Sequence, residues 1–156
     1  MLRLVDGRAG TGAGSGSGAP LLRGPVSVPR ILIVDDEPSI GRALGIFLRR
    51  DGYETTHAQS GELGQVALRE ELFDAMIVDL RLPDMRGDVF LHVAVSLQPH
   101  LLEHTLFITG DISPKAEALV EAANCPMLRK PFDLVDVVAV MQRLAPKVRQ
   151  GGATSA

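Results

Sequence analysis

The sequence predicts a doubly wound α/β domain of the (βα)5 type, with a parallel sheet in strand order 2-1-3-4-5. Three observations carry that prediction. Continuous apolar runs recur at ILIV (31–34), AMIV (75–78) and LFI (106–108). Runs this short and unbroken suit central parallel strands covered on both faces. Stretches of helical period lie between them, and strand–helix alternation at this spacing gives right-handed crossovers. YETTHA (53–58) mixes polar and apolar residues, which suits an edge strand lying outside the first.

Each element has its own local reason. After ILIV, residues Ile40, Ala43, Leu44, Phe47 and Leu48 follow the i, i+3, i+4, i+7, i+8 spacing of one helix face, and Gly52 ends it. Ser60 is placed to cap a second helix, and Asp88 to Leu97 forms a third. Ser113 followed by Pro114 starts a fourth, because proline's missing N–H costs nothing in a first turn. CPMLRK (125–130) is the fifth strand, and Leu134, Val137, Val138 and Met141 line a fifth helix that stops by Pro146.

Residues 1–29 hold 7 of the 16 glycines and few large apolar side chains, so they read as a flexible Gly/Ser-rich leader. The glycines of GAGSGSG fall at every second position, do not fit G-x-G-x-x-G and follow no strand, which favours a linker over a dinucleotide loop. Residues 30–146 form the compact domain, and 147–156 a flexible tail too short for a DNA-binding or catalytic output domain.

A chain of 156 residues, 46% apolar, supports one core. Residues 30–146 carry 11 basic and 18 acidic side chains, a net charge of −7. No Lys/Arg cluster is present, so nucleic acid is not an expected partner. The single cysteine, Cys125, has no disulfide or CxxC partner, which points to a reducing compartment. No apolar run approaches the roughly 18 residues of a membrane span, and the first ten residues lack the apolar segment of a secretory signal. The expected location is cytoplasmic, with no membrane partner.

Ligands in such sheets bind beyond the carboxyl ends of the strands. There the sequence places Asp35 and Asp36, Asp79, Thr109 with Gly110, and Lys130 with Pro131. Three converging carboxylates repel one another, and they must take up protons or share a cation. Mg2+ suits oxygen ligands and keeps several waters, which leaves room for a phosphate. Lys130 offers that phosphate a point charge and Thr109 a hydroxyl donor. With charge so neutralised a carboxylate can act as nucleophile and form an aspartyl phosphate, and Asp79 is the candidate. Singly, each of these residues reads as an ordinary turn or cap; only the joint pattern is informative.

ILIVDDEP (31–38), MIVDLRLPDMRG (76–87), LFITGD (106–111) and LRKPF (128–132) together resemble the response-regulator receiver domain of two-component signalling, over about residues 30–145. The resemblance implies the flavodoxin-like five-stranded fold, with Asp79 phosphorylated and Mg2+ as cofactor. It implies Asp36 as direct metal ligand, Asp35 acting through water, and the Arg81 backbone carbonyl completing the site. Thr109 would hydrogen-bond the phosphoryl oxygen and Lys130 would pair with it, beside a cis Lys130–Pro131 bond. Pro83 and Gly87 match the loop after the acceptor. The family usually has Tyr or Phe where this chain has Met127, which puts the usual threonine–aromatic coupling in doubt. Arg81 and Asp111 lie where the family tunes phosphoryl lifetime, and their charges suit an ion pair over the pocket.

The implied partners are a histidine kinase or a histidine phosphotransfer protein, an unidentified downstream protein, and a second copy meeting through the fourth helix, fifth strand and fifth helix. The implied role is a phosphoacceptor switch, not an enzyme. A pseudo-receiver, keeping the fold for docking without cycling phosphate, is the alternative, and Met127 is the only feature in its favour. A haloacid-dehalogenase-type phosphatase would need a second Asp two residues after Asp79, where Arg81 stands. HLLEH (100–104) matches an inverted zinc-protease pattern, but Pro99 precedes it and a strand follows, so it reads as a polar loop. His57 and His92 are read as strand-end and helix-surface residues without chemistry.

Overall fold

The computed structural model describes residues 2–4, 27–111 and 113–147. The described residues hold six strands and five α-helices, which alternate from β2 onward: β1 (Leu2–Leu4), β2 (Arg30–Val34), α1 (Pro38–Arg50), β3 (Glu54–Ala58), α2 (Gly61–Glu70), β4 (Ala75–Asp79), α3 (Gly87–Leu97), β5 (Thr105–Thr109), α4 (Pro114–Ala123), β6 (Met127–Arg129) and α5 (Leu134–Leu144). All pairings are parallel and the sheet order is β1-β3-β2-β4-β5-β6. Five of these strands, β3-β2-β4-β5-β6, form the predicted 2-1-3-4-5 order.

The sixth strand departs from the sequence reading. Leu2–Leu4, assigned there to a flexible leader, pairs with Thr55–His57. As a result β3, expected at the edge, has a neighbour on each side. The reason is general: an edge strand presents unpaired N–H and C=O groups that accept any extended segment able to reach them. The rest of the leader lies outside the described residues, apart from its last three, and so does the tail beyond Lys147.

Strand alternation divides the core into two clusters. Leu32, Val34, Met76, Val78 and Phe107 face α2, α3 and α4, meeting Leu68, Phe90, Ala94 and Val120. Ile31, Ile33, Ile77, Leu106 and Ile108 face the opposite way, onto Leu44 and Leu48 of α1 and Val137 and Met141 of α5. Fully burying one such side chain contributes about 1.5–3 kcal/mol, so the doubly covered sheet is the rigid frame of the molecule.

Caps fix where the helices begin. Ser60 Oγ accepts the Leu63 N–H at 3.1 Å and Ser113 Oγ accepts the Ala116 N–H at 3.2 Å, the two caps expected from sequence. The HLLEH stretch is a short 3-10 turn, Pro99–Glu103. Its histidines hold backbone carbonyls, His100 that of Phe73 and His104 that of Leu144, which ties this loop to the floor of the sheet. Among the described residues no helix is long and apolar enough to cross a membrane.

Candidate functional site

Every strand of the predicted five except β3 delivers a polar residue to one rim. Asp35 and Asp36 follow β2, Asp79 ends β4, Thr109 ends β5, and Lys130 follows β6. One carboxylate oxygen from each of Asp35, Asp36 and Asp79 lies within 4.8 Å of the others. Asp35 and Asp79 are buried and Asp36 is exposed. The Lys130 ammonium reaches Asp79 Oδ2 at 2.8 Å, Asp35 Oδ2 at 2.9 Å and Glu37 Oε1 at 2.9 Å. An open depression of about 440 Å³ over this cluster is lined by Asp36, Glu37, Asp79, Arg81, Gly110, Asp111 and Lys130.

The carboxylates are aimed by the backbone. Asp35 Oδ1 accepts the Glu37 N–H at 2.8 Å and Asp79 Oδ1 accepts the Arg81 N–H at 2.9 Å. Each acid thus caps its own turn with one oxygen and turns the other toward Lys130. Burial raises the Asp35 pKa from its ordinary value, and neither the Glu37 N–H nor Lys130 fully offsets it. For Lys130, burial alone would lower the pKa, but hydrogen bonds to Asp79, Glu37 and Asp35 outweigh it and hold the ammonium charged. The pocket is therefore short of positive charge: one ammonium serves three carboxylates, and burial works against the charge of one of them.

That imbalance is the test for a metal. Asp35 Oδ2 is shut off from solvent and has only the Lys130 charge to meet it. Three hard oxygen donors beside an open, polar depression fit a divalent cation of the Mg2+ class, which keeps part of its water shell. The donor set lacks the nitrogen and sulfur ligands that zinc sites favour.

The remaining predicted residues are placed as follows. Thr109 is fully buried, and its Oγ1 accepts the Asp111 N–H at 2.9 Å. Gly110 lines the depression, and a Cβ there would meet nothing within 4 Å. The Lys130–Pro131 peptide is cis. Met127 is half-buried and packs against the α2–α3–α4 side of the core. Arg81 and Asp111 form the ion pair suggested by their charges, with Nη2 to Oδ2 at 3.1 Å. Hydrogen bonds from the Ser113 backbone and side chain, ahead of the Arg81 charge, lower the Asp111 pKa.

Gly87, expected from the loop after the acceptor, permits that loop to close, since a Cβ there would sit 2.5 Å from the Asp79 carbonyl oxygen. Other contributors escaped sequence reasoning. Asp84 in that loop accepts the N–H groups of Gly61 at 2.9 Å and Glu62 at 2.8 Å, pinning the loop to the start of α2. Glu37 was quoted only as part of a motif, yet it is the third partner of Lys130. His57, read as a strand-end residue, is buried behind Asp35. The signals for Asp84 and His57 were spatial; for Glu37 the adjacent acidic pair was the available hint.

The family model for the response regulator receiver domain matches residues 31–142. The chain belongs to that family. The response regulator receiver protein CpdR of Brucella abortus is 31% identical over 119 residues, spanning 74% of this chain and 95% of CpdR. The probable transcriptional regulatory protein TcrX and the transcriptional regulatory protein KdpE, both of Mycobacterium tuberculosis, are 31% and 35% identical. Each of those matches spans 80% of this chain, but the receiver chain spans only about half the length of these two relatives (52% and 53%). Among solved structures, a CheY-like receiver domain protein from Methanospirillum hungatei superposes with a TM-score of 0.69 at 29% identity, over 76% of this chain and 94% of that one. The chemotaxis protein CheY4 of Vibrio cholerae gives 0.68 at 27% identity, over 76% and 99%. The receiver fold and its place in two-component signalling are thereby shown.

Proposed function

We propose that this receiver domain accepts a phosphoryl group on Asp79 from the phosphohistidine of a histidine kinase or histidine phosphotransfer protein, in a Mg2+-dependent reaction, and then switches its protein contacts. One observation carries the reading: the Asp79 carboxylate faces a fixed ammonium at 2.8 Å while sharing a solvent-open pocket with two further acids. An Asp79 oxygen attacks phosphorus, the P–N bond to the donor imidazole breaks, and its electron pair returns to the ring nitrogen. Lys130 leaves its carboxylate partners to neutralise the transferred oxygens. Asp36, Asp79, Asp35 through water, and the Arg81 carbonyl would hold Mg2+, which supplies further charge neutralisation at the phosphoryl group. Thr109 and Gly110 sit at the rim, where a hydroxyl and a backbone N–H can bind the attached phosphoryl.

Acting as a phosphoacceptor and not as an enzyme, the domain produces output by association. The added charge biases an existing equilibrium and alters the surface of α4, β6 and α5, where a downstream protein or a second copy docks. Exposed Arg129 pairs there with Glu117 of α4, a charged contact open to exchange on docking. We place this activity in the cytoplasm. Incubation with Mg2+ and acetyl phosphate, or with a phosphorylated kinase, followed by intact mass measurement, should show a phosphoryl adduct absent from Asp79→Asn. No adduct from either donor overturns the proposal and leaves the pseudo-receiver, which Met127 alone favours; such a degenerate pocket would show no Mg2+-dependent stabilisation.

A further inference from the structure

We infer that His57 is a positioning residue for the metal pocket, fixing the Asp35–Asp36 peptide from behind through its main-chain carbonyl. This rests on the proposed Mg2+-dependent phosphoacceptor function. His57 is 1% exposed, and its Nε2 lies 2.8 Å from the Asp35 carbonyl oxygen. A carbonyl can only accept, so Nε2 carries the proton and the ring is the donor. On the other side of the same residue, the Asp35 N–H donates to Ala58 O at 3.1 Å. β3 therefore grips Asp35 by both backbone groups, one directly and one through an imidazole.

The grip extends past the last regular pair of the ladder, Val34 with Ala58. It acts at the point where the chain leaves the sheet and the metal-site acids begin. Asp36 needs it most: its carboxylate is exposed, and no hydrogen bond or ion pair among the described residues holds it. The position of that carboxylate is set by the peptide that precedes it, whose carbonyl is the one His57 holds.

α1 is shaped to admit the ring. A Cβ at Gly41 would lie 2.2 Å from His57 Cε1, so the helix carries a glycine where the imidazole crosses it. Glycine disfavours a helix relative to alanine, so its presence here is a local cost accepted where the ring approaches. Groups behind metal ligands that fix their orientation typically govern affinity by about 10–100-fold.

The experiment compares apparent Mg2+ affinity, read from Mg2+-dependent thermal stabilisation, in wild type, His57→Leu and His57→Gln. The leucine variant should bind Mg2+ about tenfold more weakly. The glutamine variant, whose amide N–H reaches as far along the side chain as Nε2, should recover most of that loss. If both variants lose metal-free stability but keep the wild-type Mg2+ affinity, His57 is structural only and the inference falls, with the proposed function intact. If the wild type itself shows no Mg2+ response, the functional reading falls and the inference with it. Should His57→Leu fail to fold, His57→Gln against His57→Asn carries the test, because the shorter amide cannot reach Asp35 O; equal Mg2+ affinity in those two overturns the inference.

Discussion

Replacing Lys130 with methionine keeps most of the unbranched side chain and removes its charge. The ammonium meets Asp35 and Asp79, whose side chains are 0% and 6% exposed, and also the half-exposed Glu37. The Glu37 contact is solvent-screened and adds little. The other two matter, because removing one partner of a buried ion pair strands the remaining charge at about 3–5 kcal/mol. With Lys130 itself 15% exposed, the lower end applies, about 3 kcal/mol, which for a domain of this size lowers the melting temperature by about 10 °C. That figure holds in EDTA. In the proposed site Mg2+ would neutralise the same two carboxylates, so the methionine variant should gain more from the metal than wild type does, and the gap should shrink to less than half in saturating Mg2+. Differential scanning fluorimetry with and without Mg2+ measures both gaps. An equal or wider gap in Mg2+ would mean that ammonium and metal do not serve the same charges, and the electrostatic account of the pocket would be refuted.

Asp35→Asn should act in the opposite direction on the metal-free protein. Because burial raises the Asp35 pKa, the native state binds its proton more readily than the unfolded chain does, and ionisation costs stability as pH rises from the ordinary aspartate value toward the raised one. The asparagine variant should melt higher in EDTA at neutral pH, lose that acid-side decline, and respond weakly to Mg2+. Tyr53→Phe tests the carboxyl end of α5: the phenol donates to Ala145 O at 2.9 Å, so its loss should cost about 1 kcal/mol. The Tyr53 pKa, raised by burial and then by Asp51 to about 12, predicts that wild-type stability falls between about pH 10 and 12 as the phenol ionises, and the phenylalanine variant should lack this decline in alkaline melts. Gly87→Ala places a methyl 2.5 Å from the Asp79 carbonyl oxygen, and should lower both the melting temperature and the yield of phosphoryl adduct. Arg81→Ala removes an ion pair whose arginine side chain is 78% exposed; it should alter the lifetime of phosphorylated Asp79, followed by intact mass, while stability changes by less than about 1 kcal/mol.

The parts of this molecule that were legible in the sequence are those written locally. Unbroken apolar runs identified the buried strands, serines before helical periods identified two caps, and the residues finishing each run identified the rim of the pocket. Strand β1 escaped because three residues carry too little periodicity to stand out from a glycine-rich segment; only the open edge of β3 gives them a partner. The Asp84 cap escaped because it acts on the start of α2, more than twenty residues back in the chain. His57 and Gly41 escaped together: each is ordinary alone, and their complementarity exists only once β3 lies under α1. Gly41 and Gly45 inside an otherwise amphipathic helix were the local signs of a close approach, and neither says what approaches.

The geometry around Thr109 indicates how the proposed switch can operate without the family's aromatic residue. The Thr109 hydroxyl accepts the Asp111 N–H, and the Asp111 carboxylate accepts from Arg81 and from the Ser113 N–H at the start of α4. To bind a phosphoryl oxygen, the hydroxyl must direct its own proton into the pocket, whether or not it keeps the Asp111 contact. A neutral hydrogen bond given up costs about 0.5–1.5 kcal/mol and a charge-assisted one gained returns about 1.5–3 kcal/mol, so the exchange favours the phosphorylated geometry by a small margin. Where the Asp111 contact is given up, the exchange also loosens the residue that accepts from Arg81 and from the Ser113 N–H ahead of α4. Met127, half-buried on β6, packs against the cluster that includes Ala116 and Val120 of α4, and its flexible side chain can adapt to a shift of that helix. On this proposal the signal reaches α4 through the Thr109–Asp111–Ser113 hydrogen bonds, and methionine at 127 does not have to drive it.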